Sequence, residues 1–179
     1  MKRALLTLIA AVALASPALA ALAPGAAAPD FSTQATLGGK AYPYSLDGAL
    51  QHGPVVLYFF PAAFTPGCTI EAHEFADAID QYKALGATVI GVTAGNVDRL
   101  AEFSVSECRS KFPVAADPKL TIAKSYDATF ALYPGHSNRT SYVIAPDHKV
   151  IFTYSALDAS KHVALTLDAL RKWKAAHGG

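Results

Sequence analysis

The stretch that decides the fold is "PVVLYFFPAAFTPGCTIEAHEF", Pro54 to Phe75. Its first half is a continuous apolar run rich in β-branched and aromatic residues, the pattern of a strand buried on both faces. Pro61 closes that run. Thr65 then suits an N-cap and Pro66 a first helical residue. Phe75, Ile79, Tyr82 and Leu85 follow at helical spacing, with Gly86 as a C-terminal cap. One residue at this join is chemically unusual. Cys68, one of only two cysteines, falls at the third helical position. Backbone N–H groups without helical partners point there, and the macrodipole presents partial positive charge. A thiol so placed drops by one to several units from about 8.5, so the spacing predicts a thiolate nucleophile.

Working outward, "DFSTQAT", Gly38-Gly39 and "KAYPYSL" predict a hairpin before the strand. After Gly86, "ATVIGVT" is a second buried strand. Asn96 opens a helix with Val97, Leu100 and Phe103 on one face, ending before Phe112-Pro113. "PVAAD" is a short strand, and "PKLTIAKSY" a short helix with Pro118 in its first turn. Beyond the loop "LYPGHSNR", the strands "TSYVIAP" and "KVIFTYSA" are joined by a turn at Pro146-Asp147-His148. The amphipathic helix "DASKHVALTLDALRKW" closes the chain, with Asp158 near its start. This order describes one α/β domain: a parallel core with an antiparallel hairpin at one edge, a mixed sheet flanked by helices, as in the thioredoxin-like fold.

With 179 residues, 52% hydrophobic and 16% charged, the chain can bury a real core as a single domain. Its first 20 residues read as an address. Lys2-Arg3 precedes an apolar run from Ala4 to Ala15 broken only by Thr7, and Ala18 and Ala20 bracket Leu19 as a cleavage site. Ala21-Leu22-Ala23 is a poorer site because Pro24 follows it. An uncleaved anchor is the competing reading, and Pro17 and the high alanine content argue against it. The expectation is a signal peptide over residues 1–20 and a mature domain over 21–179, exported to a bacterial periplasm, where disulfides persist. Without Lys2 and Arg3 the chain carries 13 basic and 14 acidic residues, a balance that favours neither nucleic acid nor an anionic membrane. No pair among the six histidines has a zinc-type spacing, and the sequence implies no metal or cofactor.

The surroundings of Cys68 narrow its chemistry. A thioredoxin-type site needs a second cysteine three residues on, but that position is Glu71. A disulfide reductase is weakened accordingly. A hydrolase needs a histidine base, and sequence singles out none; His73 lies more than a full turn along the helix. A lone thiolate that needs no base suits an already reactive electrophile such as a peroxide, which it converts to water or an alcohol while becoming a sulfenic acid.

Pro61-x-x-x-Thr65-x-x-Cys68, together with Arg139 in "NRTSYVI", closely resembles the peroxiredoxins. The resemblance spans the mature chain, and "FTPGCTIEAHEF" looks most like the bacterioferritin-comigratory or Q-type branch. It implies that Cys68 is the peroxidatic nucleophile and that Thr65 contacts both thiolate and peroxide. Arg139 would stabilise the charge on sulfur and on the leaving oxygen. Pro61 would shape and shield the pocket, and the backbone N–H groups of Gly67 and Cys68 would be further donors. Glu71 is a supporting residue, readable also as a mere complement to the helix dipole.

The chain departs from the commonest Q-type pattern, in which a resolving cysteine follows five residues after the first; here that residue is His73. A subset of the branch carries the resolving thiol on the helix that Cys108 would occupy. The implied cycle is oxidation of Cys68, condensation with Cys108 to a disulfide, and reduction by an external thioredoxin-like protein. The resemblance leans to a monomer acting on hydrogen peroxide and small alkyl hydroperoxides. Arg109 and Lys111 oppose the helix C-terminus in setting the acidity of Cys108. The main alternative is a non-catalytic periplasmic protein in which Cys68–Cys108 is a structural disulfide. The plainer readings of Arg139, His73 and His136 are solvated surface or loop residues.

Overall fold

A computed structural model describes residues 21–177. The expected signal peptide, residues 1–20, lies outside the described residues. The chain forms one seven-stranded sheet with helices on both faces. The strands are β1 (Ser32–Leu37), β2 (Lys40–Ser45), β3 (Val55–Phe59), β4 (Thr88–Thr93), β5 (Val114–Ala116), β6 (Thr140–Ile144) and β7 (Val150–Ser155). The helices are α1 (Leu46–Leu50), α2 (Pro66–Ala84), α3 (Leu100–Ser106), α4 (Thr121–Ser125) and α5 (His162–His177).

The sheet order is β2-β1-β5-β4-β3-β6-β7. β3, β4 and β5 run parallel, and β3 at the centre pairs antiparallel with β6. The parallel core is therefore flanked by two antiparallel hairpins rather than the one expected edge hairpin. The N-terminal β1–β2 hairpin docks through β1 onto β5, with Ala35 opposite Ala115. Such a pairing across about eighty residues leaves no mark in local periodicity.

β3 is buried on both faces, as its composition requires. Val56, Tyr58 and Phe60 face α2, α3 and α5 in one core cluster. Val55, Leu57 and Phe59 face α1 and α4 in the other. This period of two puts Phe60 and the following loop on the side of the sheet where α2 begins.

Two local expectations change, at the start of α4 and at the end of α3. Pro118 lies outside α4; Asp117 starts that helix instead, its carboxylate accepting from the N–H groups of Thr121 and Ala123 at 2.8 Å each. Asn96 opens the helical segment as expected: it is the N-cap of a 3-10 turn over Val97–Arg99 that runs into α3, while its side chain donates to Ala63 O at 2.8 Å. Helix α3 stops at Ser106, and its extension is blocked by Arg109 and Ser110, both in the left-handed region (φ 51° and 55°). Cys108 therefore sits in the turn after α3 rather than on the helix. Sequence reading missed α1, which Ser45 caps by accepting from Gly48 N at 3.1 Å.

Candidate active site

The loop between β3 and α2 is held in place from the end of β4. Thr93 Oγ1 donates to Pro61 O at 3.1 Å, Ala63 N donates to Gly95 O at 3.2 Å, and Ala62 forms an isolated parallel bridge with Gly95. A side chain at Gly95 has no room, since its Cβ would lie 2.5 Å from Ala62 Cβ. Ser137 Oγ, from the loop before β6, donates to Phe60 O at 2.7 Å. These bonds satisfy the backbone where it leaves the strand and set the entry angle of α2.

Phe64 then adopts φ 61°, and Thr65 is the N-cap with extended geometry. The Thr65 hydroxyl does not cap the helix; it donates to Ala62 O at 3.0 Å. Pro66 and Gly67 follow, and Cys68 occupies the third helical position with 1% of its surface exposed. The N–H groups of Gly67 and Cys68 belong to the first helical turn, which has no i−4 carbonyl to reach. Pro61 is half-buried on the same side.

Arg139, one residue before β6, is brought to this helix start by the β3–β6 pairing, which sets Phe59 opposite Thr140. It is 5% exposed, which excludes the surface-arginine reading. Its Nε donates to Leu157 O at 2.8 Å, its Nη2 lies 3.5 Å from Cys68 Sγ, and its Nη1 pairs with Glu71 Oε2. Burial opposes its charge, but Glu71 and the Cys68 sulfur outweigh that, so its affinity for the proton rises. Gly67 permits the approach: a Cβ there would lie 3.0 Å from Arg139 Nη2 and push the guanidinium off the sulfur.

Glu71 is one turn after Cys68 and fully buried, so it does not simply complement the helix dipole in solvent. Burial raises its carboxyl to about 8 even though the Arg139 charge pulls the other way. Its Oε1 has no hydrogen-bond partner among the described residues and lies 3.6 Å from His162 Nδ1. His162 is the residue that sequence reasoning missed. It is fully buried at the start of α5, between Ser141 Oγ (2.8 Å from Nδ1) and Ala156 O (3.0 Å from Nε2). Burial lowers its pKa to about 4, so it is neutral at physiological pH. The available signal was a histidine in line with the inward positions Thr166 and Leu170 of α5.

The second cysteine has a different setting. Cys108 is fully buried in the same cluster as Cys68, among Phe103, Phe112 and Tyr58. Burial, with a smaller contribution from Glu107, pushes its thiol well above the usual range. Arg109 and Lys111 do not reach it to counter this: Arg109 pairs with Asp77, and Lys111 Nζ donates to Ala76 O at 3.0 Å. His73 is half-exposed and lies 2.8 Å from Glu107, so it ties the Cys108 turn to α2. His136 is in the loop before β6, its Nδ1 buried without a partner among the described residues. Both cysteines are free thiols in this structure.

Cavity size does not mark this site. A cavity of about 500 Å³ lies beside Ala21–Pro24, away from either sulfur. A smaller one of about 270 Å³ includes Arg139, with Phe130, Leu132 and Leu157 on its walls. The chemistry lies at the enclosed sulfur and guanidinium rather than at the larger void. Among the described residues no group of three or more His, Cys, Asp or Glu could hold a metal ion.

Comparison with known proteins gives the family. The family model described as AhpC/TSA matches residues 24–153. A Mycobacterium tuberculosis protein named as a peroxiredoxin is 36% identical over 135 residues, covering 72% of this chain and 87% of its own. The chloroplastic peroxiredoxin Q of Oryza sativa is 30% identical over 148 residues, covering 82% and 66%. Among solved structures, peroxidoxin BcpB of M. tuberculosis superposes with a TM-score of 0.74 at 31% identity, over 83% of this chain and 96% of that one. An enclosed thiol against an arginine, a family model that matches most of the chain, and relatives matched along most of their length lead to one conclusion: the chain belongs to the AhpC/TSA family of thiol-dependent peroxidases, alongside its Q-type and bacterioferritin-comigratory peroxiredoxins.

Proposed function

We propose that this protein reduces hydrogen peroxide and small alkyl hydroperoxides in the periplasm, using Cys68 as nucleophile and Cys108 as resolving thiol. The observation that carries the reading is the buried guanidinium of Arg139, 3.5 Å from a sulfur at a helix N-terminus. In the first step the Cys68 thiolate attacks one peroxide oxygen. The S–O bond forms as the O–O bond breaks, and the departing oxygen leaves as water or alcohol after taking a proton. Arg139 and the N–H groups of Gly67 and Cys68 meet the negative charge as it moves from sulfur to oxygen. Thr65 already donates its proton to Ala62 O, so its oxygen acts toward the peroxide as an acceptor and orients the substrate O–H. Pro61 keeps water from the thiol.

In the second step the Cys108 thiol attacks the sulfenic sulfur, the S–S bond forms and water leaves. Both sulfurs face one cluster, which supports an intramolecular reaction. Disulfide formation requires the two Cα atoms within about 7 Å, so the Cys108 turn and the start of α2 adjust to reach that separation. A thioredoxin-like protein then supplies two electrons and two protons to restore both thiols, and the protein acts as a monomer.

The test is to add one equivalent of peroxide to the reduced protein, count free thiols over seconds and map the product by mass spectrometry. Paired loss of two thiols with a Cys68–Cys108 linkage, abolished by Cys68→Ser, supports the cycle. Thiols already joined in the purified protein and resistant to mild reductants would replace it with a structural staple.

A further inference from the structure

The site holds two acids and one buried cation. Arg139 offers Nη2 to Cys68 and Nη1 to Glu71, and its Nε is taken by Leu157 O. Two anions, thiolate and carboxylate, would have to share this single positive charge with both acids almost fully buried. The unpartnered Oε1 of Glu71 gives a second, independent indication. The polar atom recorded facing it is His162 Nδ1 at 3.6 Å. His162 Nε2 lies 3.0 Å from the carbonyl of Ala156, so Nε2 must carry the hydrogen. Nδ1 therefore presents one lone pair, 2.8 Å from Ser141 Oγ and 3.6 Å from Oε1, which hydrogens on both oxygens would share in a three-centre contact. A carboxylate Oε1 would set lone pair against lone pair in a buried space, whereas a hydrogen on Oε1 would turn the same contact into an attraction.

We propose that Glu71 is the neutral acid in the reduced protein, its proton on Oε1 toward His162, so that the charge of Arg139 is committed to the Cys68 thiolate. Glu71 is then a positioning residue. Its Oε2 accepts from Nη1 and holds the guanidinium in place, while the carboxyl adds no competing negative charge. His162 and Ser141 keep the proton on the side away from the arginine. The carboxyl raised to about 8 agrees with this state. The other charged or titratable groups around Glu71 are Glu74 on its own helix, which also favours the neutral acid, and Tyr58 on β3. Asp158, before α5, acts on Glu74 and His162.

This inference deepens the peroxidase reading and rests on it for its catalytic meaning, but the proton can be observed without peroxide. The reduced protein at neutral pH, with Cys68 shown to be ionised by thiolate ultraviolet absorbance, is expected to give the infrared carbonyl band of a protonated carboxylic acid. Glu71→Gln should remove the band. The same variant, uncharged but still able to accept from Arg139 and donate toward His162, should keep the rate of peroxide-driven thiol loss within about threefold of wild type at neutral pH. Above pH about 8 the wild-type rate should decline as a second anion claims the guanidinium, and Glu71→Gln should lack that decline. A missing band, or a loss beyond about thirtyfold at neutral pH in a folded Glu71→Gln protein, overturns the proposal. A protein that shows the band yet spares peroxide sinks the peroxidase reading and leaves the proton where it is placed here.

Discussion

Two cysteines lie in one aromatic cluster, yet their surroundings differ in kind. Cys68 has a helix start, a guanidinium and, through that guanidinium, a carboxyl and an imidazole. Cys108 has hydrocarbon about its sulfur, while the charges of its segment point outward to α2. The first thiol is controlled by buried electrostatics, and its properties should follow pH and resist salt. The second is controlled by access, through a turn pinned by surface contacts, and its behaviour should follow the ease of opening that turn. Both cysteines are equally buried, so what distinguishes them is the field around each sulfur rather than its exposure.

The largest expected effect separates the two roles. Cys68→Ser should cost at least about a thousandfold in peroxide reduction. Cys108→Ser should leave the first oxidation within about twofold and accumulate a sulfenic acid that a dimedone-type probe captures. Equal losses in both variants would erase the distinction. Next, Arg139→Met should slow the first oxidation by about 10²–10³. It also leaves buried Glu71 without its cation, which costs about 3–5 kcal/mol of stability if the carboxyl stays ionised and less if it is already protonated. Chemical denaturation of the single and the Glu71→Gln double variant measures that difference.

A smaller effect concerns pH and stability. His162 has a folded pKa of about 4, below its usual 6.5, so its contribution is complete above about 6.5 and lost as pH falls through 4. Glu71 works in the opposite sense: with its carboxyl raised to about 8, its contribution is complete below its usual 4.5 and lost as pH rises through 8. Melting curves of wild type and His162→Asn should therefore diverge on acidification, and those of wild type and Glu71→Gln on going alkaline. The smallest effect belongs to the second thiol. The Arg109–Asp77 pair is solvent-facing and worth about 0.2–1 kcal/mol, while the His73–Glu107 pair is only part-exposed. Asp77→Ala should speed disulfide formation by about two- to fivefold, and added salt should do the same to wild type while leaving the first oxidation unchanged.

The strand, the helix start and the placement of Cys68 in its first turn were legible because each is a local pattern: a run of apolar residues, a threonine–proline pair, and a 3.6-residue period. Arg139, seventy-one residues later, was legible only through resemblance, since no local feature marks it. Glu71 was visible as a residue type, but its burial depends on α5 and β6 covering that face of α2. His162 showed only its place on the inward face of α5, and its approach to Glu71 depends on the same packing. The end of α3 was misplaced because it is set by two residues in a backbone conformation that side-chain periodicity does not report, and the N-terminal hairpin docks by a distant strand pairing.

Phe64 ties the two cysteine segments together. Its left-handed backbone sets up the start of α2, while its ring lies edge-on to Phe103 of α3 at 5.2 Å and under the Arg99 guanidinium at 3.9 Å. Swinging the Cys108 turn away pulls on Phe103 and so removes the support that keeps this unfavourable backbone angle. If Cys108 captures the oxidised sulfur as proposed, the same motion would dismantle the cradle in which peroxide oxidised it, giving a built-in guard against further oxidation to irreversible sulfinic acid. Loosening that tie with Arg99→Ala should leave more sulfinate after repeated peroxide dosing, and an unchanged or lower mass signal would count against such a guard.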